Sequence, residues 1–163
     1  MQQHFKDKQQ IWSNLAEFHE KTQHWRFSEF VRLNIGQLET DFRQIQNSCT
    51  LLKLNFKYSD LILDFLMSEI GKFATYLPLI LTLGNVDLRP RHWTQLLPLL
   101  GVNQNFALNE ILGAELQMER ISEISSVASS EYLIQSQLDQ IQSKWEHLEF
   151  DIQFSDNKYK YRF

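Results

Sequence analysis

Few side chains in this sequence have a type and spacing that could do chemistry. His19-Glu20 and His24 come nearest to a metal pair. Histidines five apart lie about 140° from one another around a helix, whereas a shared zinc needs both on one face. They read as solvated helix residues. Gly71-Lys72-Phe73 is the one Gly-Lys step, without the upstream glycine or the following Ser/Thr of a phosphate-binding loop. Cys49, the single cysteine, falls on a helix stripe and reads as an inert small hydrophobe, with no neighbour in sequence of a kind that lowers its pKa. Lys158, Lys160 and Arg162 alternate with aromatic residues and read as the solvent face of a strand. No pair of carboxylates is placed by spacing in an apolar pocket. The expectation is no catalytic residue, no cofactor-binding residue and no metal ligand.

The most informative residues are structural ones. Leu88-Arg89-Pro90-Arg91-His92-Trp93 reads as a helix entry. Pro90 suits the first helical position, where its missing N–H costs nothing and its φ is already helical. Trp93 then falls in the first turn, where its ring can anchor that helix on its neighbours. Further on, Glu131 breaks an apolar seam between Ala128 and Ile134. It either lies at the seam's edge and reaches water, or pairs with Arg91 or His92 and joins the short helix to the long one.

The elements that would position these residues are helical almost throughout. Ile11, Leu15, Phe18 and Trp25 form one stripe, with Thr22 filling the gap; after an aromatic break at Phe27 and Phe30, a second runs Ile35, Leu38, Phe42, Ile45, Cys49, Leu52. Asn34, with Gln37 three residues on, fits a helix cap. A third helix is predicted over 59–77, with Ile62, Leu66, Ile70, Phe73 and Leu77 on one face and Leu61 and Phe65 beside it, a face wide enough for two neighbours. Pro78 is expected to end it. The helix from Pro90 should stop between Pro98 and Gly101. Ile121, Ile124, Ala128, Ile134, Leu138, Ile141, Trp145 and Leu148 make a nearly continuous seam on a helix over 119–148, roughly 45 Å long. The period changes only at the end. Phe150, Ile152 and Phe154 alternate, Ser155-Asp156-Asn157 turns, and Tyr159, Tyr161 and Phe163 alternate again, a β-hairpin signature.

Bulk properties narrow the class. Apolar residues at 43 % and charged residues at 22 % of 163 fit one ordinary globular domain. With 5 Gly and 3 Pro, long regular elements are favoured over loops. A net charge of -4 leaves no basic footprint for nucleic acid or an anionic membrane. The first residues lack the apolar core of a signal peptide, and no run of about 18 apolar residues is expected, the richest being 76–83. The expectation is a soluble intracellular chain with no nucleic-acid or membrane partner.

The order of these features resembles the N-terminal part of the linker region of dynein heavy chains. Leu77-Pro78-Leu79-Ile80, a loop over 83–87, and the Arg-His-Trp helix entry carry the likeness, together with Ile121, Ile124, Ala128, Glu131, Leu138, Ile141, Trp145 and Phe150. Trp12 and Trp25 fit upstream. Gln135 and Pro98 depart from the pattern. The resemblance implies an all-α fold, an elongated array of antiparallel helical bundles with a short β-hairpin at the C-terminal end. It divides the chain into a tail-proximal bundle over 1–57, linker helices around the Arg-His-Trp motif over 58–148, and a truncated hairpin over 149–163. It marks Arg89, Pro90, Arg91, His92, Trp93, Glu131 and Trp145 as the structural motif. It further implies an excised or truncated piece of a motor, with the AAA+ ring of the same heavy chain and the dynein tail with its associated chains as partners. The microtubule would be met only through the parent motor, in the cytoplasm and cytoskeleton or a ciliary axoneme. Axonemal and cytoplasmic motors both stay open, the downstream set being nearer the axonemal kind. The rival reading is a free-standing helical adaptor or scaffold of spectrin-like texture.

Overall fold

Apolar residues three and four apart, with few breakers between them, dictate helices that must bury one face. The computed structural model describes residues 2–55, 60–148, 152–155 and 158–161. The chain is mostly helical: α1 (Gln2–Phe27), α2 (Ile35–Asn55), α3 (Leu61–Ala74), α4 (Leu77–Leu83), α5 (Pro90–Leu100), α6 (Leu108–Ile111) and α7 (Met118–Glu146). A 3₁₀ turn, Phe30–Arg32, follows α1. Beyond α7, β1 (Ile152–Ser155) pairs antiparallel with β2 (Lys158–Tyr161), Ile152 opposite Tyr161. Phe150, Asp156, Asn157, Arg162 and Phe163 lie outside the described residues.

The first three helices run up, down and up. Lys21 of α1 meets Asp41 of α2 at 3.3 Å, and Asn14 meets Ser48 at 2.9 Å, so these helices are antiparallel. Lys53 pairs with Asp64 at 3.3 Å while Phe42 packs on Phe73, which sets α3 antiparallel to α2. Phe73 is the centre of this bundle, its ring against Phe18, Trp25 and Phe42. The Asn34 side chain caps α2, accepting from the Gln37 N–H at 3.0 Å. The predicted division after residue 57 falls outside the described residues. Buried side chains from both sides of it, from Ile11 through Cys49 and Leu66 to Ile121, share one core.

Helices α4 to α7 close the end of the bundle where α1 finishes and α2 begins. The Phe30 N–H donates to the Phe106 carbonyl at 2.8 Å, next to an isolated bridge between Glu29 and Ala107. Gly84, just after α4, lies so close over α2 that a Cβ there would come 2.6 Å from Ile35 Cγ2.

Several elements differ from the periodicity. The helix predicted over 59–77 ends earlier, at Ala74, and a separate helix, α4, follows from Leu77. The Asp60 carboxylate accepts from the Ile62 and Leu63 N–H groups and starts α3 at Leu61; the chain then bends at Thr75–Tyr76. Pro78 begins α4 instead of ending α3, because in a first turn its missing N–H forfeits no hydrogen bond. The predicted main face is covered at Leu66, Ile70, Phe73 and Leu77, but its flank is not: Leu61 is 86 % exposed and Phe65 57 %, and Leu63 joins the core in their place. Contrary to expectation, Leu61–Leu83 is long and apolar enough by composition to cross a membrane, with an 18-residue window of mean hydropathy 1.2. The bend divides it, and Leu66, Ile70, Phe73, Ile80 and Leu83 face the core. Pro98 sits inside α5, whose stop is Gly101 at φ 68. The seam of α7 is covered only near its start, at Ile121, Ser125 and Ala128; Ile134, Leu138, Ile141, Trp145 and Leu148 are exposed.

Candidate functional site

The helix-entry residues assemble a junction between α5 and α7. Arg89 is extended, and Pro90 opens the helix with its φ already set. His92, two residues on, is 3 % exposed and turns its ring back, so that Nδ1 accepts the Arg89 N–H at 3.0 Å. That bond puts the ring proton on Nε2, which donates to Glu131 Oε2 at 3.0 Å. Arg91 Nε lies 3.4 Å from the same Nε2. With Nε2 already a donor, that approach is a close contact of two donors and not a hydrogen bond. Arg91 Nη2 donates to the same Glu131 oxygen.

One carboxylate of α7 therefore holds two consecutive residues of α5. Loss of hydration pushes the Glu131 carboxyl up, but the hydrogen bonds from Arg91 and His92 and the guanidinium charge outweigh it, and its pKa is lowered from 4.5. The ion pair is half-exposed on both sides, so its Coulombic part is of the modest surface kind. Below it a groove of about 480 Å³ runs between the helices, lined by Gln95, Arg120, Glu123 and Ile124 among others.

Trp93 anchors the other side of α5. Its ring lies 6.2 Å from Phe30 and 6.4 Å from Phe106, which stack on each other at 5.2 Å. The structure thus brings together Arg91, His92 and Glu131, and puts Trp93 on the opposite contact of the same helix. Arg89 contributes its backbone, with its side chain in solvent. Trp145 is not part of the junction; it lies fourteen residues beyond Glu131, roughly 21 Å along α7, and is 60 % exposed.

A second fastening has no counterpart in the sequence reasoning. Asn85, in the loop after α4, donates from Nδ2 to Ser125 Oγ and Ser129 Oγ, both at 2.9 Å, and to the Ser125 carbonyl at 3.1 Å. Its Oδ1 accepts the Asp87 N–H at 3.0 Å, and Ser125 Oγ donates to the Thr82 carbonyl at 3.1 Å. The available signal is a pair of serines at i and i+4 inside the seam, a small polar strip facing an Asn turn.

The residues weighed for chemistry stand apart from one another. His19 and His24 are exposed, and His24 Nδ1 is 3.1 Å from Ser28 Oγ. Lys72 pairs with Glu69 on the surface of α3. Cys49 is fully buried; burial pushes its thiol pKa up, and the Asn14 amide, which donates to Sγ at 3.6 Å, lowers it by less. Asn14 is the lowering neighbour that sequence alone did not reveal. At the junction both ring nitrogens of His92 are engaged, so neither is free to exchange a proton with a substrate.

Fold and junction define a class: a helical structural segment whose conspicuous polar side chains fasten one helix to another. The chain belongs to the dynein heavy chain family, since the family model for Dynein heavy chain, N-terminal region 2, matches residues 1–162. It is 30 % identical over 152 residues to human Dynein axonemal heavy chain 2, covering 88 % of this chain and 3 % of that protein. It is 26 % identical over 152 residues to rat Dynein axonemal heavy chain 1, covering 87 % and 3 %. The Dynein-1-beta heavy chain of the flagellar inner arm I1 complex of Chlamydomonas reinhardtii is 24 % identical over 159 residues, covering 93 % and 4 %. The chain thus spans about 3–4 % of the length of these relatives.

Proposed function

We propose that the segment is part of the linker of a dynein heavy chain, a mechanical lever that carries ATP-driven changes of an AAA+ ring to the tail in microtubule-based movement. The observation that carries this reading is the junction. A lever must keep its helices in fixed register under load, and directional hydrogen bonds fix register where apolar contacts alone allow sliding. Glu131 on Arg91 and His92, and Asn85 on Ser125 and Ser129, are two such ties between the α4–α5 layer and α7. In this reading the segment performs no catalysis, residues 1–57 are the tail-proximal part, and 58–148 are the linker helices around the motif. Its partners are the ring of the same heavy chain and the tail with its associated chains, and the microtubule is met only through the parent motor. The axonemal and flagellar names of the relatives support an axonemal, cytoskeletal setting.

The test is a heavy chain carrying Asn85→Ala and Glu131→Ala together. ATP turnover should persist while microtubule gliding slows, because the motor still cycles but the lever yields. Unchanged gliding would refute the role of the junction. The up-down-up bundle of α1–α3 also favours a static scaffold of spectrin-like texture. A nucleotide-dependent change in distance between a dye on α7 and one on the ring separates the two, since a scaffold shows none.

A further inference from the structure

We propose that the bare half of α7 is a docking seam for one amphipathic helix from elsewhere in the same heavy chain. Ile134, Leu138, Ile141 and Trp145 follow one another at steps of four, three and four, and each is more than half exposed; Leu148, also exposed, lies just past the end of α7 at Glu146. That is the alternating four-three spacing of a seam meant for a second helix rather than a bundle surface, and it extends roughly 16 Å. It is also continuous with a contact already made, because Ile121, Ile124 and Ala128 of the same helix face dock on the core. Glu131 marks the place where the covered part gives way to the bare part.

The occupant follows from what flanks the seam. Helices that must find a free partner select it through charges beside the seam. Here the flanking positions are Gln135, Gln137, Gln142 and Lys144. Gln135 and Gln142 are already bonded along their own helix, to Asp139 at 2.8 Å and Glu146 at 3.0 Å. A seam with so little charge code has affinity without selectivity. It suits a partner supplied at high effective concentration by covalent connection. The relatives carry some thirtyfold more chain than this segment matches, from which such a helix can come. The inference rests on the segment belonging to a longer heavy chain with a linker, as proposed above.

Cysteines at the seam and away from it test this directly. Leu138→Cys, Ile141→Cys and, on the opposite face, Ser143→Cys are introduced singly into the heavy chain and into the 163-residue chain. Maleimide labelling is then read peptide by peptide by mass spectrometry. In the heavy chain the two seam cysteines should react at least about tenfold more slowly than Ser143→Cys, as closed contacts open rarely; in the 163-residue chain all three should react alike. Hydroxyl-radical oxidation of Trp145 in the unsubstituted proteins gives the same comparison without a substitution. Equal labelling in the heavy chain overturns the proposal. So does slow labelling in the 163-residue chain with a dimer in sedimentation, which would make a second copy the occupant. A protected seam in a heavy chain whose linker does not move with nucleotide would keep this inference and end the lever.

Discussion

At the scale of single residues, buried polar atoms decide more than the apolar ones around them. Thr22 is buried on the α1 stripe, and its Oγ1 has no hydrogen-bond partner among the described residues. Thr22→Val keeps the shape and removes the stranded hydroxyl, so it should stabilise the fold by about 1 kcal/mol, read as a higher urea midpoint. Glu131 gives a pH prediction whose sign follows from its lowered pKa. The folded state favours the carboxylate, so its contribution is complete above the ordinary value of 4.5 and is lost as pH falls from there through the lower folded value. Hydrogen exchange over residues 117–131 should therefore quicken, relative to the rest of the core, as acid is added through that window. Glu131→Gln keeps an acceptor for Arg91 and His92 but cannot titrate, and should abolish the relative change. An identical acid response in both proteins would exclude Glu131 as its source. The pairing itself was legible as one of two readings, because a lone acid in a seam has few ways to be tolerated. Asn14 and Asn85 were not legible, since an Asn in a helix or turn looks the same in sequence whether it faces water or a partner.

At the scale of elements, the register between α2 and the end of α4 depends on close approach. Gly84 has an ordinary φ of −80, so its role is space rather than backbone freedom. Gly84→Ala would drive a methyl into Ile35 and should destabilise by about 1–3 kcal/mol. Its effect should shrink when Ile35 is cut back to Ala, although Ile35 Cβ, itself 2.8 Å from the added carbon, limits the relief. Equal loss in both backgrounds would show that the helices separate instead of the side chain yielding. The stripes of α1 and α2, the cap at Asn34 and the entry at Pro90 could all be read from spacing, because each is fixed by residues within two turns. The bend at Thr75–Tyr76 could not. Pro78 can neither donate to the Ala74 carbonyl nor clear it, so a continuous helix is opposed through this turn. Spacing placed the end at Leu77, however, and did not show that helix resumes at once as α4 over α2. Leu61 and Phe65 mislead for a related reason: periodicity counts apolar residues, while burial depends on whether another element reaches them.

At the scale of the whole molecule, α7 is the element that departs most from a closed globule. Its first half is tied to α4 and α5 by Asn85 and by the Glu131 pairing, and its remainder from Tyr132 onward has no buried side chain among the described residues. A helix without tertiary cover is marginal in water, whatever its propensity. Hydrogen exchange in the 163-residue chain should therefore show a step along α7, with slow amides over 121–128 and fast ones over 135–146. The same geometry fixes the overall size. A compact chain of this length has a radius of gyration of about 15 Å, and about 15 residues of helix standing clear of the core add roughly 22 Å of reach on one side. Small-angle scattering should give a radius above the compact value, with a tail at long distances in the pair distribution. Cutting the chain after Tyr132 should remove that tail and leave the urea midpoint nearly unchanged, since residues 133–148 contribute little burial. A truncated protein that loses stability in proportion to its lost length would mean that distal α7 folds back on the bundle in solution, and the seam would then be a surface already closed.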